Sequence, residues 1–144
     1  MELDPRLKDF RNFLYLAWDH LGLPEPTKIQ YDIAGYVQTG PKRRCVQAFR
    51  GVGKSWITSA YVCHQLLLKP DTNIMVVSAS KQRADDFSTF TLRLISEMPL
   101  LQHLRPGDHQ RNSKIAFDVG PAPNAHAPSV TSKGITSAIT GSRA

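Results

Sequence analysis

Residues 45–55 read Cys45-Val46-Gln47-Ala48-Phe49-Arg50-Gly51-Val52-Gly53-Lys54-Ser55. The largely apolar run 45–49 predicts a short buried strand. Residues 48–55 match Gly-x-x-x-x-Gly-Lys-Ser/Thr, the loop that cradles phosphates, with Ala48 in place of its first glycine. Gly51 and Gly53 let the backbone curl so that amide N–H groups, with that of Val52 between them, point at phosphate oxygens. Lys54 is a cation for the β and γ phosphates, and the Ser55 hydroxyl is a ligand for Mg²⁺. A helix beginning there adds its positive end. Gly-x-Gly-Lys-Ser/Thr arises by chance in roughly 0.5% of chains this long, so the motif, between a strand and a helix, predicts a nucleotide site.

Downstream, Trp56, Ile57, Ala60, Tyr61, His64 and Leu67 recur at helical spacing up to Pro70. His64 reads as a packed core residue. Ile74-Met-Val-Val-Ser-Ala79 predicts a second buried strand. Ser80 predicts an N-cap for a helix over 81–97, with Phe87, Phe90, Leu94 and Met98 on one side and Pro99 at its end. Residues 104–113 predict a polar, basic loop. Strands are predicted at 115–119 and within 129–140, separated by a proline-rich loop. Upstream, Asp4-Pro5 predicts a helix start, followed by Leu7, Phe10, Leu14, Trp18 and Leu21, with Gly22 as its stop. Thr27 opens a second helix that closes at Gly40-Pro41. Strand, loop, helix, strand, helix implies an α/β fold, a parallel sheet covered by helices. Strands lacking polar alternation imply burial on both faces. The expected division is 1–41, a helical segment, and 42–144, the core of a phosphate-loop NTPase.

The 144 residues suit one domain. No apolar run is long enough to span a membrane, and the start, Met-Glu-Leu-Asp-Pro, predicts no secretory leader. Cys45 and Cys63, far apart and in no metal-ligand spacing, read as buried thiols in a reducing compartment. The net charge of +6 and pI near 9.6 favour a polyanionic partner such as nucleic acid, with ordinary solubility charge as the alternative.

Several residues carry paired readings. Arg50, inside the loop, is either a guanidinium that reaches the γ phosphate or a solvated loop arginine. Gln30 either closes a capping box with Thr27 or offers its amide to the edge of adenine, which would favour ATP over GTP. Lys81 and Arg83 either face nucleic-acid phosphates or form a solvated first helical turn. The five histidines are scattered, no His/Cys/Asp set has metal spacing, and Ser78 and Ser80 lack a paired base.

Gln30 in its Pro-x-x-x-Gln setting, Phe-Arg-Gly-Val-Gly-Lys-Ser at 49–55, Val-Val-Ser-Ala-Ser at 76–80, Phe-Asp-Val-Gly-Pro at 117–121 and Gly-Ile-Thr…Thr-Gly-Ser-Arg-Ala at 134–144 together resemble the large terminase subunit of tailed phages, nearest the short-tailed podophage type. The resemblance implies a RecA-like ATPase of the additional-strand type. It implies a homo-oligomeric ring that packages double-stranded DNA into a procapsid, in the host cytoplasm, with a portal protein and a small terminase subunit as partners and no membrane. The implied cofactors are ATP and Mg²⁺. The implied nucleotide-binding set is Gln30, Arg50, Gly51, Val52, Gly53, Lys54, Ser55 and Trp56, with Ser55 on the metal. Arg50, Lys54 and Arg143 are the implied catalytic residues: Arg50 as the in-loop sensor, Arg143 either acting on a neighbour's nucleotide or a phosphate-contacting or solvated arginine.

The sequence departs from that family in one respect. Members carry a hydrophobic strand ending in paired acids that orient Mg²⁺ and the attacking water. Asp71, Asp85, Asp86, Asp108 and Asp118 do not stand in that setting. The expectation is an N-terminal fragment, without the nuclease domain, that binds nucleotide and hydrolyses it negligibly. Two other readings stay open: a fragment of a superfamily 2 helicase, in which the loop arginine would be unusual, and a nucleotide-binding or assembly piece without catalysis.

Overall fold

The computed structural model describes residues 4–49, 51–106, 116–120 and 129–134. The chain divides into two compact units, Met1–His64 and Gln65–Ala144.

In the first unit, the single helix expected from Pro5 to Leu21 is two pieces. Pro5–Lys8 is a 3-10 turn capped by Asp4, and α1 is Phe10–His20, capped by Asp9. The break arises at Asp9: its carboxylate accepts the Arg11 N–H at 3.0 Å, and its backbone is extended, a local bond that competes with helix continuation. Gly22 ends α1 at φ 72°, with Leu23 N–H on the Trp18 carbonyl at 2.9 Å. That is the left-handed C-terminal turn in which glycine avoids a Cβ clash. Helix α2, Lys28–Thr39, comes next, and then α3, Lys54–Leu68.

Phe10, Phe13, Leu14 and Ala17 form the buried face of α1, the spacing of one helical stripe. Phe10 meets Tyr61 edge-on at 5.2 Å, and Phe10 and Phe13 both lie 5.4 Å from the His64 ring. As expected, His64 is fully buried; its Nε2 bonds the Leu7 carbonyl at 2.7 Å. Gln38 on α2 accepts the Phe10 N–H and donates to the Lys8 carbonyl, which satisfies backbone groups left over where the 3-10 turn meets α1.

The predicted buried strand at 45–49 does not form among the described residues. Cys45, Gln47 and Phe49 are exposed, and Val46 and Ala48 half-buried. Cys45 is therefore an exposed thiol, not the expected buried one, while Cys63 is buried. An apolar run becomes a buried strand only where neighbouring strands satisfy its backbone, and 45–49 enters no ladder in the described residues.

In the second unit β1, Ile74–Ser78, pairs in parallel with β3, Val130–Gly134, and β2, Ala116–Phe117, pairs antiparallel with β3, giving the order β1-β3-β2. The sheet is thus mixed rather than parallel throughout. The segment joining β2 to β3 carries Pro121, Pro123 and Pro128, which suits no helical crossover of the kind a parallel pair needs. β1 is half-buried, with Val77 49% exposed, not buried on both faces: it lies at the edge of the described sheet. Helix α4, Lys81–Glu97, packs on β1 and β3 and is capped by Ser80, whose hydroxyl accepts the Arg83 N–H. Past Pro99 the chain turns through a 3-10 segment, Pro99–Leu104, that buries Leu101 and Leu104. Asp118 accepts the Ser129 N–H at 3.2 Å and Ser129 Oγ the Val119 N–H, clasping β2 to the start of β3.

Burial holds the His64 imidazole below its ordinary value of 6.5, against smaller opposing effects of the Leu7 carbonyl and Asp9. Its Nδ1 has no partner. The unfolded chain binds a proton at the ordinary value and the folded chain only at lower pH. The stability contributed by neutral His64 is therefore complete above pH 6.5 and declines as pH falls through the folded value. Denaturant melts between about pH 7 and about pH 5 should show that decline, and His64→Phe should flatten it.

Candidate nucleotide-binding site

The loop between 49 and 54 is shaped by two glycines. Gly51 has φ 94° and Gly53 φ 90°, and no other described residue but Gly22 has positive φ. A Cβ on Gly51 would meet nothing within 4 Å, and one on Gly53 only Gln30 Nε2 at 3.5 Å. Glycine is needed here for backbone conformation rather than for space. Val52, between them, is buried at 4% exposure. A turn that alternates the sign of φ gathers successive amides around one concavity, the geometry of an anion nest. Helix α3 opens directly after it, at Lys54.

Lys54 is half-buried, and its ammonium donates to the carbonyl of Ala48, the residue at the substituted glycine position. Ser55 is exposed on the first turn of α3. Trp56 is 44% exposed and meets Trp18 edge-on, 6.5 Å between centroids at 83°. Arg50 and Arg143 lie outside the described residues.

Gln30 forms the expected capping box: Thr27 Oγ1 accepts the Gln30 N–H at 3.3 Å, and Gln30 Oε1 accepts the Thr27 N–H at 2.9 Å. Two further bonds were not legible from the motif. Gln30 Oε1 also accepts the Trp18 indole N–H at 3.2 Å, and Gln30 Nε2 donates to the Val52 carbonyl at 2.9 Å. The structure therefore brings Gln30, Val52, Gly53 and Lys54 together, and adds Trp18. The signal for Trp18 was its indole N–H, a donor that seeks a partner when buried.

Elsewhere, Arg83 is exposed at the start of α4, and Arg105 donates to Gln102 Oε1. Residues 107–113 of the expected basic loop lie outside the described residues. Among the described residues no group of three His, Cys, Asp or Glu could hold a metal, and no helix is long and apolar enough to cross a membrane.

No family model matches the chain. It is 50% identical over 137 residues to a protein of Enterobacteria phage T3 named terminase, large subunit. The chain is a relative of the terminase large subunit. The match takes in 94% of this chain and 23% of the T3 protein, at its N-terminal part, so the chain spans about a quarter of its relative's length. Because so little of the chain falls outside the match, residues 45–55, deep in its interior, are within it. The terminase relationship and the glycine geometry thus bear on the same segment.

At Gly51 the constraint is conformational alone, which gives a clean test. Gly51→Ala should lower stability by about 1–2 kcal/mol, and Gly51→Asn by less, since asparagine tolerates positive φ. Equal denaturant midpoints for all three proteins would contradict the strained turn.

Proposed function

We propose that this chain is the nucleotide-holding part of a terminase motor that packages double-stranded phage DNA, with the loop 48–55 as its phosphate site in a RecA-like ATPase fold. The match to the T3 terminase large subunit carries the packaging reading. It does not favour the helicase alternative. The positive-φ glycines opening onto α3 support the phosphate reading: on it the glycine amides, the helix end and the Lys54 ammonium all attract the same anion. On this reading Lys54 exchanges the Ala48 carbonyl for β and γ phosphate oxygens. Arg50 supplies a second cation to the γ phosphate, Trp56 borders the site, and Arg143 acts on a neighbour's nucleotide.

Mg²⁺ fits what the residues offer. It takes one or two protein oxygens and completes its shell with water and phosphate, and Ser55 provides one hydroxyl. The ion's chemistry there is neutralisation of phosphate charge. The protein's part is positioning and electrostatics, with no covalent step. The DNA would be held by its phosphates, making translocation sequence-independent and salt-sensitive; the net charge of +6 is of the right sign. In the full-length protein we assign a homo-oligomeric ring working in the host cytoplasm, with a portal protein and a small terminase subunit. The 144 residues hold no hydrophobic strand ending in paired acids. The assigned activity of this chain by itself is therefore nucleotide binding with negligible turnover.

Calorimetric titration with Mg-ATP should give measurable binding that Lys54→Ala weakens by about tenfold or more, the loss of charge-assisted bonds. Phosphate release should stay at background. Equal affinity in wild type and Lys54→Ala would refute the site, and brisk turnover abolished by Lys54→Ala would refute the need for the acids.

A further inference from the structure

The Gln30 side chain has two ends with opposite duties. An indole N–H and a backbone N–H can only donate, and both Trp18 Nε1 and Thr27 N point at one end of the carboxamide, at 3.2 and 2.9 Å. That end must be the oxygen. The amide group is then forced to the other side, where the Val52 carbonyl lies 2.9 Å away. A flipped amide would set donors against donors at one end and two carbonyl oxygens against each other at the other. The orientation is chosen by the partners, and Trp18, buried at 3% exposure, is one of the two that choose it.

Besides the loop's own bonds, from the Val52 N–H to the Phe49 carbonyl at 3.4 Å and from Lys54 to the Ala48 carbonyl, a side chain from outside the loop holds it at the carbonyl of Val52. The residues on either side are glycines at positive φ, with no side chains to anchor their peptides. Gly51 has open space around its Cα. Fixing the Val52 carbonyl fixes the Val52–Gly53 peptide plane and with it the direction of the Gly53 N–H.

We propose that Trp18 is a positioning residue for the phosphate loop, acting through Gln30, whose carboxamide clamps the Val52 carbonyl and is thereby tied to the loop rather than to a nucleotide base. This rests on the reading of 48–55 as a phosphate site. It makes α1, which carries none of the loop's residues, part of that site's preorganisation: a loop held in its binding shape loses less freedom on binding. The clamp is indifferent to the base, because it acts on the backbone that faces the phosphates.

The test pairs a ligand-free measurement with a base-free ligand. In the ligand-free chain, backbone ¹⁵N relaxation should report rigid amides at 51–53, with order parameters near about 0.85, falling toward about 0.6 in Gln30→Ala. Gln30→Glu separates the clamp from the helix cap: it keeps an acceptor for Trp18 and Thr27 but puts a carboxylate, with no donor, against Val52. It should lower loop order with α2 intact. Inorganic tripolyphosphate, ATP and GTP should all bind Gln30→Ala more weakly, by a similar factor of about fivefold, the loss of one neutral hydrogen bond. Trp18→Phe should weaken all three in the same direction, and should add nothing in the Gln30→Ala background, as expected of two residues acting in one chain of contacts. A loss confined to ATP would overturn the proposal and make Gln30 an adenine reader. So would unchanged loop order in Gln30→Ala, or additive effects of the two substitutions. If tripolyphosphate bound wild type and Lys54→Ala equally, the phosphate reading would fail, and the ligand-free order parameters would still decide the clamp.

Discussion

The carboxamide of Gln30 is where three separate pieces of the N-terminal unit are tied together. Its oxygen holds the start of α2 and the indole of α1, and its nitrogen holds the loop that opens α3. Each bond is modest by itself, near 1 kcal/mol in net terms. Their value lies in mutual exclusion: the two donors on the oxygen leave the nitrogen only one direction. A loop whose key positions are glycines has little side-chain packing of its own beyond the buried Val52. Its own bonds, Val52 N–H to the Phe49 carbonyl and Lys54 to the Ala48 carbonyl, are joined from outside by the Gln30 amide.

The remainder of the unit keeps that amide in place. The stripe Phe10, Phe13, Leu14 and Ala17 fixes the rotation of α1 about its axis, which fixes where Trp18 points. The aromatic contacts to Tyr61 and His64 bring α3 against the same stripe. His64 adds a polar tie by bonding the Leu7 carbonyl. Burial with Nδ1 unpartnered also makes it the group whose protonation that core resists. Hydrophobic packing supplies the bulk of the stability, and a few directed hydrogen bonds convert it into the orientation of a loop.

Much of this was legible in the sequence because it is local. Ser80 marked the start of α4 and Pro99 its end, and the helix runs between them as Lys81–Glu97. Thr27 and Gln30 announced their capping box. The glycines of the loop announced positive φ. What the sequence misled on is long-range. Residues 45–49 have the composition of a buried strand, but a strand depends on partners elsewhere in the chain, and none pairs with 45–49 among the described residues. The antiparallel placement of β2 is likewise a tertiary fact. Asp9 was missed as a cap because the apolar period runs through it unbroken. Trp18 stood in the apolar period of the first helix and is buried, yet periodicity reports which side a residue faces and nothing of where its N–H goes. Arg50 and Arg143, central to the catalytic reading, lie outside the described residues.

If the loop opening α3 receives the phosphates of a nucleotide, a ¹H–¹⁵N correlation spectrum of the chain titrated with Mg-ADP reads that contact most directly. Saturable shifts should concentrate at the amides of Gly51, Val52, Gly53, Lys54 and Ser55, accompanied by the Trp18 indole N–H, which shares the amide that holds the loop. An unperturbed loop at saturating nucleotide, or shifts clustered only in the unit Gln65–Ala144, would contradict a phosphate site there.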